Sequence, residues 1–414
     1  MSRSVAGYNS GMSRRKAFTI WAAVSLLAAG ACTPPPPALP AKIDAALAAA
    51  GRFLAGKQSA DGAWRSETYG VLRDGPSLTP YVLKSLFFVA PDGGGDAFRK
   101  GVRYVTARVA DGAGAVDVGL PFPVYTAAAA TWVVTLDGRA GEAERRAQSI
   151  WLAAVRGRQL TEALGWAPAD PEYGGWGYAI DPPRKPAPGE PKGPFSESNL
   201  SATVYALGAL RAAGVPREDP AYGRALAFVK RCQNFSDDPA AADPRFDDGG
   251  FFFTPGDPVK NKAGRAGEDR HARTRYHSYG SMTANGLRAL LQCGLPADHP
   301  RVAAARRGLE RNFSAKTHPG TFAPEREVFR ESYYYYYTWS VAHAFLHLGA
   351  RVIETKDGKV DWAAALAEEL IRRQRPDGSW DNRYTDAKED DPLVATPAAA
   401  AALAICRRAL TKAK

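Results

Sequence analysis

The chain has 414 residues, of which 45% are hydrophobic and 23% are charged, and this composition excludes a disordered or collagen-like chain. Its four cysteines include no Cys-x-x-Cys pair, which excludes a disulfide framework and a zinc knuckle. The net charge of +11 falls to +7 without the first 31 residues, and no basic stripe runs between aromatic residues, so we expect no nucleic-acid binding.

The first 31 residues have the pattern of an export signal. Arg14, Arg15 and Lys16 precede an apolar segment, Ala17–Ala29, whose 13 residues are too few to span a bilayer comfortably. Cys32 follows Ala-Gly-Ala, as in a bacterial lipobox that has alanine where leucine is usual, and a run of four prolines comes next. We therefore expect a signal peptide over 1–31, lipidation of Cys32, and a tether over 32–42. The protein would then be exported and anchored to the extracytoplasmic side of a membrane, or else simply secreted.

From residue 43 to residue 410 the chain repeats a helix, a glycine-aromatic loop and a second helix six times. The clearest loops are Gln58–Trp64 and Gln374–Trp380, which both read Q-x3-G-x-W. Two looser copies pair Gln159 with Gly174-Gly175-Trp176 and Gln233 with Gly249-Gly250-Phe251, and two degenerate copies lie at 111–114 and 312–322. A period with insertions is the signature of a repeat fold.

The helices on the two sides of each loop differ in character. Those before the loops have charged faces and are predicted at 43–56, 97–108, 143–156, 221–232, 301–312 and 362–373. Those after the loops are apolar nearly all round, which predicts burial, and lie at 79–89, 124–136, 200–213, 281–293, 334–348 and 396–410. Six outer helices around six inner ones predict an all-α fold, a single (α/α)6 toroid that closes without capping repeats.

The glutamine-glycine-tryptophan loop in a six-fold array of helical hairpins resembles the repeat superfamily of squalene cyclases and protein prenyltransferases. The resemblance covers residues 43–410. It implies that the loop is a structural clasp between neighbouring repeats, so that Trp64, Trp176 and Trp380 have a structural role and need not touch a substrate.

The catalytic motifs of that superfamily are missing. Squalene-hopene-type cyclases carry D-x-D-D-T-A at the start of an inner helix, where the matching residues 279–284 read Tyr-Gly-Ser-Met-Thr-Ala, and the chain has room for only one toroid. For a prenyltransferase zinc site, His343 and His347 share a helix face, but Ala344 replaces the glutamate of H-E-x-x-H and no third ligand is near. We expect neither a metal nor a cofactor.

Candidate site residues are the aromatic and acidic residues close to the start of inner helices. The expected ligand contacts are Phe251, Phe253, Tyr276, Tyr279, Tyr334 and Tyr337. Aromatic faces suit carbocations, isoprenoid chains and sugar rings, although structural packing is the alternative for most of them. Among the acids Glu197, Glu331, Asp390 and Asp391, we select Glu331 and Asp391 as acid/base groups; the alternative is that they interact only with helix dipoles.

These observations predict a protein that binds or transforms an isoprenoid-like apolar molecule inside the toroid. Two alternatives stay open: a non-catalytic lipoprotein that binds a lipid or protein partner, and a glycan-active enzyme, because α/α toroids also host sugar chemistry. The sequence leaves the substrate and the oligomeric state undetermined.

Overall fold

The computed structural model describes residues 38–89, 95–109, 120–191, 193 and 195–411. The predicted signal peptide, Cys32, most of the predicted tether and the degenerate loop at 111–114 lie outside the described residues.

Twelve long helices alternate between an outer and an inner ring within the described part of the chain. The outer helices are α1 (Leu39–Gly56), α3 (Gly95–Ala107), α5 (Glu142–Arg156), α7 (Pro220–Arg231), α9 (Pro300–Arg311) and α12 (Trp362–Arg373). The inner helices are α2 (Thr79–Val89), α4 (Pro123–Val133), α6 (Leu200–Ala212), α8 (Gly280–Gln292), α11 (Tyr334–Leu348) and α13 (Pro392–Thr411). A short helix, α10 (Val328–Ser332), precedes α11.

The inner helices form a closed ring. Each contacts the next in the order α2, α4, α6, α8, α11 and α13, and α13 returns to contact α2, while α1 packs against both α12 and α13. The predicted α/α toroid is therefore confirmed. Every helix lies within about four residues of its predicted bounds. The largest differences are that α1 starts at Leu39, inside the predicted tether, and not at 43, and that α13 starts at Pro392 and not at 396.

The strands are confined to short antiparallel hairpins in the loops. Strand β1 (Trp176–Gly177) pairs with β2 (Ser198–Asn199), β3 (Arg265–Glu268) with β4 (Thr274–Tyr276), and β5 (Val352–Thr355) with β6 (Gly358–Asp361). Among the described residues, each hairpin is a separate two-stranded sheet, and none joins a larger sheet.

Burial follows the composition of the two rings. Nine of the eleven residues of α4 are buried, but only three of the thirteen in α3. Among the described helices, α13 is long and apolar enough to cross a bilayer, yet 67% of its most apolar segment is buried inside the protein. Its hydrophobicity is thus accounted for by its position in the core.

The glycine-aromatic loops are clasps, as the resemblance implied. The Gln58 amide donates to its own loop at the Gly62 carbonyl (2.9 Å) and to the Ala97 carbonyl of the next outer helix (2.8 Å). The other three clasp glutamines repeat this pattern, bonding to the carbonyls of Ala221, Arg301 and Ala46. Because Ala46 lies in α1, the last clasp ties the sixth repeat to the first and closes the ring.

The clasp tryptophans are fully buried, and their side chains form hydrogen bonds with the outer helix that precedes each loop. The indole N–H groups of Trp64, Trp176 and Trp380 each donate at 2.7 Å to a carbonyl of the preceding outer helix. Their backbone N–H groups donate to a threonine hydroxyl at the start of the following inner helix, namely Thr79, Thr203 and Thr396. Each clasp therefore joins two outer helices and one inner helix.

Candidate functional site

A cavity of about 390 Å³ lies inside the ring at the amino-terminal ends of the inner helices. Each of the six inner helices contributes a residue from its second or third position, among them Tyr81, Tyr125, Ser201, Tyr336 and Val394. The repeat architecture places these turns around one space, and the loops before them form the remaining wall. We refer to this space as the aromatic cavity.

Ten of the described residues lining the aromatic cavity are aromatic: Tyr81, Phe122, Tyr125, Tyr178, Phe195, Tyr205, Phe253, Tyr279, Tyr333 and Tyr336. Several rings pack on one another: Tyr125 stacks on Tyr178 with centroids 5.6 Å apart and meets Tyr205 edge-on at 4.6 Å. This mutual packing fixes the ring orientations, so the cavity presents a preformed aromatic surface.

Some side chains of the five-tyrosine run line the cavity, and others pack against neighbouring segments of the protein. Tyr333 and Tyr336 lie three residues apart, about one helical turn, and both line the cavity. The hydroxyls of Tyr334 and Tyr337 instead donate to the carbonyls of Ala315 (2.6 Å) and Ser314 (3.0 Å). The two tyrosines named as ligand contacts from the sequence thus lie outside the cavity, and their neighbours line it.

The other four predicted contacts are also divided. Phe253 and Tyr279 line the cavity. Phe251 is buried against Gly286, where a Cβ would come within 2.3 Å of the phenyl ring, and Tyr276 packs on Phe252 with centroids 5.1 Å apart. Phe251 and Tyr276 therefore serve packing, which was the alternative considered for them.

The two acids selected from the sequence do not line the cavity. Glu331 is partly exposed and accepts a hydrogen bond from the Thr317 hydroxyl at 3.3 Å. Asp391 is buried and accepts from the backbone N–H of Leu393 (2.8 Å) and from the Ser66 hydroxyl. Asp391 therefore caps the start of α13, which was the alternative reading for an acid at that position.

Two acids that the sequence reasoning missed line the cavity, the exposed Asp386 and the buried Glu389, and Glu389 is the one enclosed by the protein. Only 2% of it is exposed. One carboxyl oxygen accepts from the backbone N–H of Tyr336 (2.7 Å), and the other from that of Tyr335 (3.0 Å) and the Asn382 amide (2.9 Å). The available signal was the acidic run 389–391, of which only the last two residues were considered.

Burial raises the pKa of Glu389 to about 8, even though its three donors favour the charged form. At neutral pH most of the population is therefore a neutral carboxylic acid beside aromatic rings. The same N–H groups, at the amino terminus of α11, stand ready to stabilise the carboxylate when the proton leaves. Glu389 thus has the environment required of a general acid.

Ser281 and Met282 also line the cavity, at the position where the resemblance places the cyclase acid motif. Neither side chain carries a proton donor strong enough for alkene protonation. Glu389 reaches the same space from the loop before α13, so an acid is present but comes from a different repeat.

A chain of hydrogen bonds runs along one wall of the cavity. Tyr178 and Tyr125 share a hydrogen bond of 3.0 Å, Tyr125 donates to the Ser201 hydroxyl at 2.6 Å, and Ser201 contacts the Tyr336 hydroxyl. The Asn285 amide donates to Tyr336 at 2.7 Å. These hydroxyls are thereby satisfied internally, so the tyrosines on this wall present their ring faces to a ligand, while Lys260, Lys262 and Lys388 add polar groups to the lining.

No group of three or more His, Cys, Asp or Glu residues that could hold a metal ion occurs in the described part of the chain. Cys232 and Cys406 are buried, and burial raises the pKa of both thiols. His343 and His347 lie side by side, with rings 6.1 Å apart, beyond the far end of the aromatic cavity.

Comparisons with known proteins identify the fold. No protein-family model matches the chain, and no curated protein matches it in sequence. Among solved structures, it is similar to the type II terpene cyclase MstE from Scytonema (13% identity, TM-score 0.52, covering 89% of this chain and 99% of that one). It is also similar to a variant of that cyclase in complex with its substrate, geranylgeranyl dihydroxybenzoate (13% identity, TM-score 0.51, 90% and 98%).

A glycan-active enzyme has the same architecture. The GH76A α-1,6-mannanase from Salegentibacter sp. matches with 9% identity and a TM-score of 0.51, covering 89% of this chain and 99% of that one. At these identities the likenesses establish an α/α toroid shared with a terpene cyclase and with a mannanase, and no more.

Proposed function

We propose that this protein binds an isoprenoid-like apolar molecule in the aromatic cavity and that Glu389 acts on it as a general acid. The observation that carries the proposal is the enclosure of a buried carboxylic acid by ten aromatic residues. An apolar chain gains about 0.8 kcal/mol for each methylene group removed from water, so such a wall favours a hydrocarbon ligand.

The proposed chemistry uses the Glu389 carboxyl and the backbone N–H groups of Tyr335 and Tyr336, which are already hydrogen-bonded to it. The Glu389 carboxyl gives its proton to one carbon of an alkene, the π electrons form the new C–H bond, and the neighbouring carbon becomes a cation. Tyrosine faces stabilise that cation, and the N–H groups of Tyr335 and Tyr336 stabilise the carboxylate. Loss of a proton from the final cation back to Glu389 would restore the acid and release a neutral product.

The similarity to MstE supports this proposal at the level of fold, because that toroid accommodates a geranylgeranyl chain. This chain lacks the superfamily's acid motif, so Glu389 replaces its function by a different route. The proposed setting is extracytoplasmic, with the protein anchored through lipidated Cys32.

The test is to extract the purified protein with organic solvent, analyse the extract by mass spectrometry, and incubate the protein with squalene and polyprenyl substrates. We expect bound polyprenoid and a cyclised product that Glu389→Gln abolishes. Glu331→Gln, which alters a carboxyl outside the cavity, is the matched control and should retain activity. Cyclised product that survives Glu389→Gln would show that the acid is elsewhere; bound lipid without any product would reduce the function to lipid binding.

A glycan-active enzyme is the second candidate, because two carboxyls reach the same cavity. Asp386 lines it together with Glu389 and accepts a hydrogen bond from the Ser332 hydroxyl at 3.0 Å. Aromatic faces also bind sugar rings, and paired carboxylates are the groups of glycoside hydrolysis. Release of reducing sugar from an α-1,6-mannan, abolished by Asp386→Asn, together with no bound lipid, would favour this candidate.

A further inference from the structure

A second cavity, of about 260 Å³, lies inside the ring toward the carboxyl-terminal halves of the inner helices. Tyr205 and Ala129 contribute to both cavities and form part of the wall between them. The second cavity differs in character, because its walls carry Lys84, Arg288, the exposed Arg211 and the histidines His343 and His347. We refer to it as the cationic pocket.

Of the two main cations of this pocket, Arg288 is buried and Lys84 is partly buried, and neither has an acidic partner among the described residues. Lys84 Nζ lies 4.2 Å from the centroid of the Trp132 ring and 4.9 Å from that of Trp339, and Arg288 Cζ lies 4.5 Å from the latter. None of the described residues that line the pocket is an aspartate or glutamate. Arg288 is only 5% exposed, and burial lowers its pKa to about 10.

Two buried polar atoms at the pocket have no hydrogen-bond partner: Arg288 Nε and Gln292 Oε1. Within the described part of the chain, the Arg288 side chain makes one hydrogen bond, from Nη1 to the side-chain oxygen Oδ1 of Asn285 at 3.1 Å, although a guanidinium has five N–H donors. Buried polar groups are nearly always paired in native proteins. Two such groups on adjacent turns of α8, beside a cavity, indicate a ligand that supplies their partners.

The helix dipoles do not account for these cations. That favourable interaction is strongest in the last helical turn, whereas Lys84 is in the middle of α2 and Arg288 directly precedes the last turn of α8. The tryptophan faces offset part of the cost of burial, but they leave Arg288 Nε unpaired. Burial lowers the pKa of His343 well below its ordinary value, and the neighbouring Arg288 and Lys84 lower it further.

We propose that the cationic pocket binds a phosphate group, either free or as part of a small phosphorylated molecule. A phosphate dianion matches the two cations in charge, and its oxygens accept from the guanidinium fork and from the ammonium group. The remaining O–H of the inorganic dianion HPO4²⁻ can donate to Gln292 Oε1, which neither a carboxylate nor a phosphate-ester dianion can do. This inference is independent of the function of the aromatic cavity, because it rests on different residues.

The test is calorimetric titration of the full protein with inorganic phosphate in a phosphate-free buffer, with sodium acetate at equal ionic strength as the comparison. We expect one saturable phosphate site and much weaker binding of acetate. Arg288→Gln and Lys84→Met should each weaken phosphate binding by at least about tenfold, the size of one lost charge-assisted contact. Arg99→Gln, a change of the same type on exposed α3, is the matched control and should leave the affinity unchanged.

Thermal unfolding without phosphate distinguishes a phosphate-binding role of Lys84 and Arg288 from a purely structural role. Because removing an unpaired buried charge relieves its desolvation, the Arg288→Gln and Lys84→Met proteins should unfold at the same or a higher temperature than the parent. Absence of a saturable site in the parent, or unchanged affinity in both variants, would overturn the proposal. Lower unfolding temperatures in both variants with no phosphate site in the parent would likewise overturn it and identify the cations as structural.

A parallel titration with farnesyl monophosphate identifies the source of the phosphate group. If its affinity exceeds that of inorganic phosphate and falls in the Arg288→Gln protein, the group belongs to a lipid whose chain extends toward the aromatic cavity. If its affinity is lower, the pocket takes a free phosphate or a small polar ester. Both results retain the phosphate site, and neither depends on turnover in the aromatic cavity.

Discussion

Closure of the ring can be tested at a single side chain, Gln374. Its amide donates to the Gly378 carbonyl (3.0 Å) within its own loop and to the Ala46 carbonyl (2.9 Å) in α1, across 328 positions of sequence. Gln374→Ala leaves both carbonyls without this donor. Since an unsatisfied, partly buried group costs about 1–3 kcal/mol, the substitution should lower the free energy of unfolding by roughly 2–4 kcal/mol.

The matched control is Gln58→Ala, which removes the same clasp between the first and second repeats. Both variants would be measured by urea unfolding followed by circular dichroism, with unchanged slope as the sign of an unchanged transition. We expect equal losses from the two substitutions. If Gln58→Ala is costly but Gln374→Ala changes stability by less than about 0.5 kcal/mol, the ring is open at that point and the closure argument is wrong.

Three further predictions concern packing, protonation and anchoring. Trp380→Ala should cost about 3–5 kcal/mol in the same unfolding assay, because the indole is fully buried and bonded to the Leu370 carbonyl; an unchanged midpoint would contradict this. Because burial raises the pKa of Glu389 from 4.5 to about 8, its contribution to stability is complete below pH 4.5 and is lost as the pH rises through about 8. Glu389→Gln should flatten that decline in a pH series of unfolding midpoints, and an equally steep decline would place the titrating group elsewhere. Cys32→Ser should release the protein from the membrane fraction, and full retention there would refute lipid anchoring.

The architecture could be predicted from the sequence because short sequence patterns indicate where each helix and loop lies. The Q-x3-G-x-W loops mark the clasps, and the change from charged to fully apolar helices separates the outer ring from the inner one. The sequence did not predict one clasp element, the threonine near the start of an inner helix whose hydroxyl accepts from the tryptophan backbone N–H, as in Thr79 and Thr396. Its signal was a spacing of 15 and 16 residues after the clasp tryptophan in the first and last repeats, but an insertion increases the spacing from Trp176 to Thr203 to 27 residues.

The site was harder to predict because it depends on helix phase and on loop paths. Within the tyrosine run, a rotation of the helix by one residue decides whether Tyr333 and Tyr336 or Tyr334 and Tyr337 face the ring centre. Glu389 and Asp391 are two residues apart in a loop, and their roles differ because one side chain reaches the cavity and the other caps α13. Periodicity carries no information about such loop positions.

The most direct test of the central claim is to incubate the purified protein with squalene and polyprenyl substrates and to analyse products and co-purified lipid by mass spectrometry. The account predicts a bound polyprenoid and a cyclised product that disappears in Glu389→Gln but persists in Glu331→Gln. Absence of both bound lipid and product, or a product unaffected by Glu389→Gln, would contradict it.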